Sequence, residues 1–328
     1  MKPGPRNLIT DVPGLKVGNA EDLNIISGTT VILPNRPAIA AVDVRGGGPG
    51  TRETDLLSAD STIERVDAIC LSGGSAFGLD AASGVQSWLA SQGLGFQIAD
   101  VCIPIVPAAI LFDLINGGDK SWMENPPYRN MGLQACKNSA YDFFLGNAGA
   151  GLGAQAGALK GGLGSTSIID TNNGWTIGAI AAINSVGSTT MDDGKSFWSW
   201  PFEQNGELGN QVPPTAKVSP QPYFHTKENL RTNTTIATIA TDAPLSQNQL
   251  RRVAIMAQDG LARAIRPVHS PLDGDVVFAL STAPEDARFT LEYSDVAHIG
   301  ALAADCLARA IARGVYEAKS LGGTPAYK

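Results

Sequence analysis

The sequence is poor in the residues on which most metal and redox sites depend. It has three histidines and four cysteines. His225, His269 and His298 share no metal-ligand spacing, and Cys70, Cys102, Cys136 and Cys306 form no C-x-x-C pair. That leaves no basis for a zinc knuckle or a thioredoxin-type site, and no metal is expected. Cys70 and Cys306 lie in apolar stretches and read as reduced core thiols. No run of Lys or Arg interrupts a net charge of -7, so nucleic acid is not an expected partner. No apolar run reaches the ~18 residues of a membrane span, and residues 1–11 lack the apolar core of a signal peptide. A cytoplasmic protein without membrane contact is therefore expected.

What is abundant is small and apolar. The chain is 43% hydrophobic, with 37 glycines and 20 prolines among 328 residues. It can bury a large core and must turn often, unlike a disordered or fibrous chain. Residues 29–33, 38–44, 67–71 and 276–280 read as strands, and 175–186 as a long one. Pro104 and Pro107 argue against a regular central strand over 101–111. A helix is predicted from about Phe77 to Ser91. Another is opened by Ser246 with Gln249 as a capping box and carries Leu250, Val253, Ala254, Ala257 and Leu261 as a stripe. A third, over about 295–318, carries Val296, Ile299, Leu302, Leu307 and Ile311. Strands alternating with helices predict sheet layers covered by helices.

The most informative feature is a boundary. Residues 192–232 are polar, punctuated by prolines and without periodicity, and read as a long surface segment suited to a chain break. Order returns at Asn233, and Thr234–Thr241 is a β-branched strand. A hydroxyl on the first residue of a strand can attack the carbonyl before it. The resulting ester hydrolyses and leaves Thr234 with a free α-amine of pKa ~8, a base next to its own nucleophile. Asp273-Gly274-Asp275 lies one helix later, directly before the next predicted strand. If that strand lies beside Thr234–Thr241, its two carboxylates come to the start of the latter, where they would orient the amine and hydroxyl.

These residues and several others resemble one family. They are Asn7-Leu8-Ile9-Thr10-Asp11-Val12-Pro13-Gly14, Val42-Asp43-Val44-Arg45-Gly46-Gly47, Leu71-Ser72-Gly73-Gly74-Ser75-Ala76-Phe77-Gly78-Leu79, Gly149-Ala150-Gly151, Asn184-Ser185-Val186-Gly187, Asn233-Thr234-Thr235-Ile236 and Asp273-Gly274-Asp275. In this order, over nearly the whole chain, they resemble the L-aminopeptidase/D-esterase type of N-terminal-nucleophile hydrolases, which includes β-peptidyl aminopeptidases and 6-aminohexanoate (nylon) oligomer endohydrolases. The resemblance implies an α+β fold, a layered αββα sandwich of the kind shared with ornithine acetyltransferase. It implies one structural domain, 1–328, that cuts itself into 1–233 and 234–328. It implies Thr234 as nucleophile, Asp273 and Asp275 as its partners, Asn184 as the residue polarising the scissile carbonyl, and Lys160 as a lysine near the nucleophile. It further implies a short peptide, amide or nylon-type oligomer as substrate, no cofactor, and a homo-oligomer, a tetramer of cleaved pairs. Where the nylon-oligomer enzymes have an active-site tyrosine, this chain has Phe112, so the tyrosine hydroxyl and its oxyanion arrangement do not carry over.

Other residues admit other readings. Residues 151–157, Gly-Leu-Gly-Ala-Gln-Ala-Gly, mimic a dinucleotide fingerprint with Asp170 as the ribose-binding acid, which would make 146–170 an NAD(P) site of an oxidoreductase. That needs a helix which Gly157, Gly161, Gly162 and Gly164 would weaken, so a Gly-lined turn is the plainer expectation. An uncleaved, non-catalytic scaffold is the third reading. Ser75 follows a buried strand as a nucleophile elbow would, without Gly-x-Ser-x-Gly. It is expected to cap a helix and to line the substrate pocket with Phe112. His269, four residues before Asp273, could lie near the site, but a surface-loop histidine is the plainer expectation.

Overall fold

The computed structural model describes residues 1–214, 233–288 and 290–328, and His225, Pro220 and Pro222 lie outside them. The strands are β1 (Leu15–Asp22), β2 (Ser27–Pro34), β3 (Ala38–Val44), β4 (Thr51–Arg52), β5 (Arg65–Val66), β6 (Ile69–Ser72), β7 (Phe96–Ile98) and β8 (Val101–Ile103). They continue as β9 (Ala108–Ile110), β10 (Gln155–Ala156), β11 (Leu159–Lys160), β12 (Gly162–Ile169), β13 (Thr176–Asn184), β14 (Thr234–Thr241) and β15 (Val276–Ser281). The helices are α1 (Ala81–Ser91), α2 (Tyr128–Lys137), α3 (Gln247–Ala264) and α4 (Tyr293–Tyr316).

Two sheets stack face to face. One has the order β12-β13-β14-β15-β3-β5, the other β1-β2-β6-β9-β4. Along β14, Ile236 and Ala240 enter the core between the sheets, while Ala237 and Ile239 face the helices. A strand apolar on both faces suits a sheet covered on both sides, and each isoleucine so buried contributes about 1.5–3 kcal/mol. The outer face is covered by α3 and α4 through Leu250, Val253, Leu261, Ile299, Leu307 and Ile311, the stripes expected from the sequence. The capping box of α3 forms as predicted: Gln249 N donates to Ser246 Oγ and Ser246 N to Gln249 Oε1. On the far side, α1 and α2 cover the five-stranded sheet through Val85, Leu89, Met131 and Ala135 against Val31, Leu33 and Cys70. The layers are helix, sheet, sheet, helix.

Several expectations need correction. Residues 108–110 do form an internal strand, β9, between β6 and β4. Pro104 and Pro107 stop short of it, and Pro107 still supplies its carbonyl to Cys70 N at 3.0 Å, since proline lacks only the donor. Ser75 caps nothing. It is the first residue of a 3-10 turn, Ser75–Asp80, whose cap position is Gly74 with no side-chain bond. The part of 192–232 that is described is not loose. Phe197 and Leu208 are fully buried, and Glu207 pairs with Arg309 at 2.5 Å. Irregular chain can be anchored by single side chains that leave no periodic trace. The dinucleotide reading fails on its local context: β10 and β11 form a hairpin that leads into β12, and no helix follows the glycines to receive a pyrophosphate. Those glycines line a close backbone approach instead. A Cβ on Gly161 would lie 1.9 Å from the Ile183 carbonyl oxygen. Asp170 is occupied by Asn172 N, Asn173 Nδ2 and His298 Nε2. No helix among the described residues is long and apolar enough to cross a membrane.

Candidate active site

The parallel pairing of β14 with β15 creates the site. Its register sets Ile236 opposite Val276, and an isolated parallel bridge joins Asn233 to Asp273. Asp273-Gly274-Asp275 thereby runs alongside Asn233-Thr234-Thr235, the juxtaposition that the spacing allowed if the two strands were neighbours. On the other flank, antiparallel β13 puts Asn184 directly opposite Thr234. Residues 234 and 184 share the parity of Ile236, Ala182 and Ile180, which pack between the sheets. Both side chains therefore start from the inter-sheet face at its rim.

Thr234 is only 5% exposed, and its Oγ1 donates to the Asn233 carbonyl oxygen at 2.6 Å. The same oxygen accepts Gly274 N at 3.2 Å. Gly274 has to be glycine: a Cβ there would lie 2.7 Å from Thr234 Oγ1. Asp275 Oδ1 accepts Thr235 N at 2.9 Å, and its Oδ2 accepts His269 N at 3.1 Å. Asp273 Oδ2 accepts Ser270 N at 2.8 Å and its Oδ1 Val186 N at 3.4 Å. Burial, and secondly the negative charge of Asp275, push the Asp273 carboxyl above its ordinary range.

The loop after β3 closes over the acids. Gly46 N donates to Asp275 O at 3.2 Å and Gly48 N to Asp273 O at 2.8 Å. A Cβ on Gly46 would stand 2.3 Å from both Asp273 O and Asp275 N. Asn184 is held from two sides: its Oδ1 accepts Gln155 N at 2.8 Å, and its Nδ2 donates to the Phe112 carbonyl at 3.1 Å. Phe112 thus reaches the site through its backbone from the other sheet. Ser75 joins the same wall, its N donating to Leu111 O at 2.9 Å.

Lys160 is 2% exposed, and its Nζ donates to the carbonyls of Gly151, Ala154 and Gly161 at 2.8–3.0 Å. Burial pushes its pKa down to about 7, and the charge of Asp113 opposes that. Three carbonyl acceptors call for three N–H donors, which only the ammonium form supplies. The lysine therefore fixes the turn whose Gln155 N holds Asn184. His269 is not a free surface residue: its Nδ1 lies 2.9 Å from Asp275 Oδ2. Sequence reasoning set His269 near Asp273 but preferred a surface-loop role for it, and it missed the roles of Gln155 and Gly274. The glycine between the two acids was the available signal for the second of these. No group of three or more His, Cys, Asp or Glu among the described residues is arranged to hold a metal ion.

Known proteins resemble this chain over nearly its whole length. The profile of peptidase family S58 matches residues 7–327. An uncharacterized aminopeptidase of Mycobacterium tuberculosis is 43% identical, over 98% of this chain and 97% of its own. A 6-aminohexanoate-oligomer endohydrolase of Paenarthrobacter ureafaciens is 28% identical, over 93% and 84% respectively. The solved L-aminopeptidase D-Ala-esterase/amidase of Ochrobactrum anthropi superposes with a TM-score of 0.74 at 24% identity, covering 98% of this chain and 89% of its own. Its structure is described as a variant of the N-terminal-nucleophile hydrolase fold, which is the αββα layering found here.

Proposed function

Because the chain belongs to peptidase family S58, and is thereby a peptide hydrolase, we propose that it matures by cutting itself after Asn233 and then works with Thr234 as its N-terminal nucleophile. One observation carries this reading: the hydroxyl of Thr234 and the N–H of Gly274 converge on the carbonyl oxygen of Asn233, at 2.6 and 3.2 Å. Oγ1 attacks the Asn233 carbonyl carbon, and Gly274 N–H steadies the oxyanion that forms. The C–N bond breaks, the nitrogen of Thr234 takes the proton from Oγ1, and an ester joins Asn233 to Oγ1. Water then cleaves the ester, leaving a carboxylate on Asn233, a hydroxyl on Oγ1 and a free amine on Thr234.

In the mature enzyme that amine takes the hydroxyl proton as Oγ1 attacks a substrate carbonyl, and gives it to the leaving amine. The Asp273 and Asp275 carboxylates flank Asn233–Thr235 and stabilise the protonated amine between these steps. Asn184, braced by Gln155 and Phe112, polarises the substrate carbonyl. Lys160 acts through the turn that carries Gln155. Phe112 and Ser75 belong to the pocket wall. The substrate is a short peptide or amide with a free amino end. The aminopeptidase relative at 43% identity supports this over nylon-type oligomers, whose endohydrolase stands at 28%. The two fragments stay together as one folded domain, since β14 pairs with β13 of the first fragment along its length. Further assembly into a tetramer of cleaved pairs is part of the same proposal. The β7–β8 ribbon supports it, with Phe96, Ile98, Val101 and Ile103 exposed on one face.

A denaturing gel of purified protein should show two bands, and mass analysis of the smaller should begin at Thr234. A start at Thr235 or elsewhere would overturn the assignment.

A further inference from the structure

Among the described residues, the Asp275 carboxylate receives three hydrogen bonds, and one comes from a side chain outside the machinery described so far. Its Oδ1 takes Thr235 N, and its Oδ2 takes both His269 N at 3.1 Å and His269 Nδ1 at 2.9 Å. A carboxylate oxygen accepts, so Nδ1 carries the hydrogen. The Asp275 side chain is 2% exposed and the His269 ring 21%. The imidazole is thus a wall between a buried carboxylate and solvent.

The backbone of His269 supports a specific role. Its φ is +55°, in the left-handed region that β-branched residues avoid and that glycine, asparagine, aspartate and histidine adopt more readily than other residues. This conformation lets one residue direct both its N–H and its Nδ1 to a single oxygen. A loop needing only the backbone bond would accommodate glycine at that φ with less strain. The imidazole adds a second bond to the same oxygen, from Nδ1, that the backbone alone does not supply.

We infer that His269 is a positioning residue, whose Nδ1–H fixes the rotamer of Asp275 and so the alignment of Thr234 through Thr235 N. This rests on Thr234 as nucleophile. His269 is linked to Thr234 through Asp275 and Thr235 N, so it acts on turnover more than on binding.

Two substitutions separate the side chain from the backbone. His269→Gly keeps the N–H and suits the left-handed φ, so the variant should fold, with a melting temperature lowered by no more than the loss of one hydrogen bond. On an amino-acid p-nitroanilide its kcat should fall about tenfold or more, the scale of one lost hydrogen bond to a charged group, with KM changed less than twofold. His269→Asn tolerates the same φ and offers Nδ2 near the place of Nδ1, so it should recover kcat to within about threefold of the parent. Self-cleavage rate of freshly made precursor is the second readout and should follow the same order. The inference is overturned if the glycine variant keeps parental kcat, or if the asparagine variant is as slow as the glycine one in both readouts. A parallel Thr234→Ala sample keeps the two ideas apart. If it stays active, the nucleophile is wrong; if it is dead while His269→Gly is normal, only the positioning role falls.

Discussion

The Arg309 cluster and the Asp273–Asp275 cluster are both buried, and both join the first 214 residues to those after 233, but they treat charge in opposite ways. Arg309, fully buried on α4, meets Glu207 through Nε at 2.5 Å and Nη2 at 2.8 Å. Two further hydrogens reach Asn7 Oδ1 and the Ser167 carbonyl. Every charge there has an opposite charge beside it. At the start of β14, two carboxylates one residue apart are held by backbone N–H groups and an imidazole, and burial, then the charge of Asp275, raises the Asp273 pKa against those hydrogen bonds. Compensated charge holds parts together. Like charges kept together by dipoles cost stability and are a mark of chemistry.

The sharpest break in the comparison is at Thr234. Thr234→Ala should abolish self-cleavage and hydrolysis, whereas Thr234→Ser should retain part of both, since it keeps the hydroxyl and loses only the methyl that restricts its rotamer. Gel analysis of maturation, followed by amide hydrolysis on whatever matures, reads this directly. An active alanine variant would make Ser75 the next residue to test.

Next in size is the compensated cluster. Arg309→Ala leaves Glu207 buried without its partner, and should cost about 3–5 kcal/mol in denaturant unfolding. Activity per folded molecule should stay near parental. A loss of turnover with unchanged stability would erase the distinction between the two clusters.

The smallest effect lies inside the acidic pair. Asp275→Asn removes a neighbouring negative charge, so the Asp273 carboxyl should move down toward 3.8, but not reach it, because burial is the larger cause. The sign for stability follows. A folded-state pKa raised above 3.8 leaves Asp273 without penalty below that pH and weakens the fold as pH rises through the raised value. The substitution should narrow that window. Carboxyl-detected NMR titration checks it, and an unmoved Asp273 would show that the two charges do not interact.

Much of the scaffold was legible because it is local. The β-branched run Thr234–Thr241, the Ser246–Gln249 box and the stripes on α3 and α4 are periodic or short-range signals, and each forms as read. The boundary at Asn233 and the acids at 273 and 275 were visible as types at a spacing. Other features escaped because their partners are remote in sequence. Asn184 finds Phe112 across the two sheets, Glu207 finds Arg309 across 102 positions, and nothing periodic announces either. His269 is close to Asp275 in sequence, yet it looked like a solvated loop residue until a left-handed φ was seen to turn its ring inward.

By itself, then, the sequence determined the strongly patterned segments, such as Thr234–Thr241, α3 and α4, and which residue types stand at the Asn233–Thr234 boundary, because propensity, capping and side-chain alternation act over a few residues. Tertiary structure alone decided that β15 runs parallel beside β14. It also brought Gly274 N onto the Asn233 carbonyl and closed Gly46 and His269 around the acids. Those contacts follow from strand register and loop packing between distant segments, and register is set by the whole buried surface rather than by any local pattern.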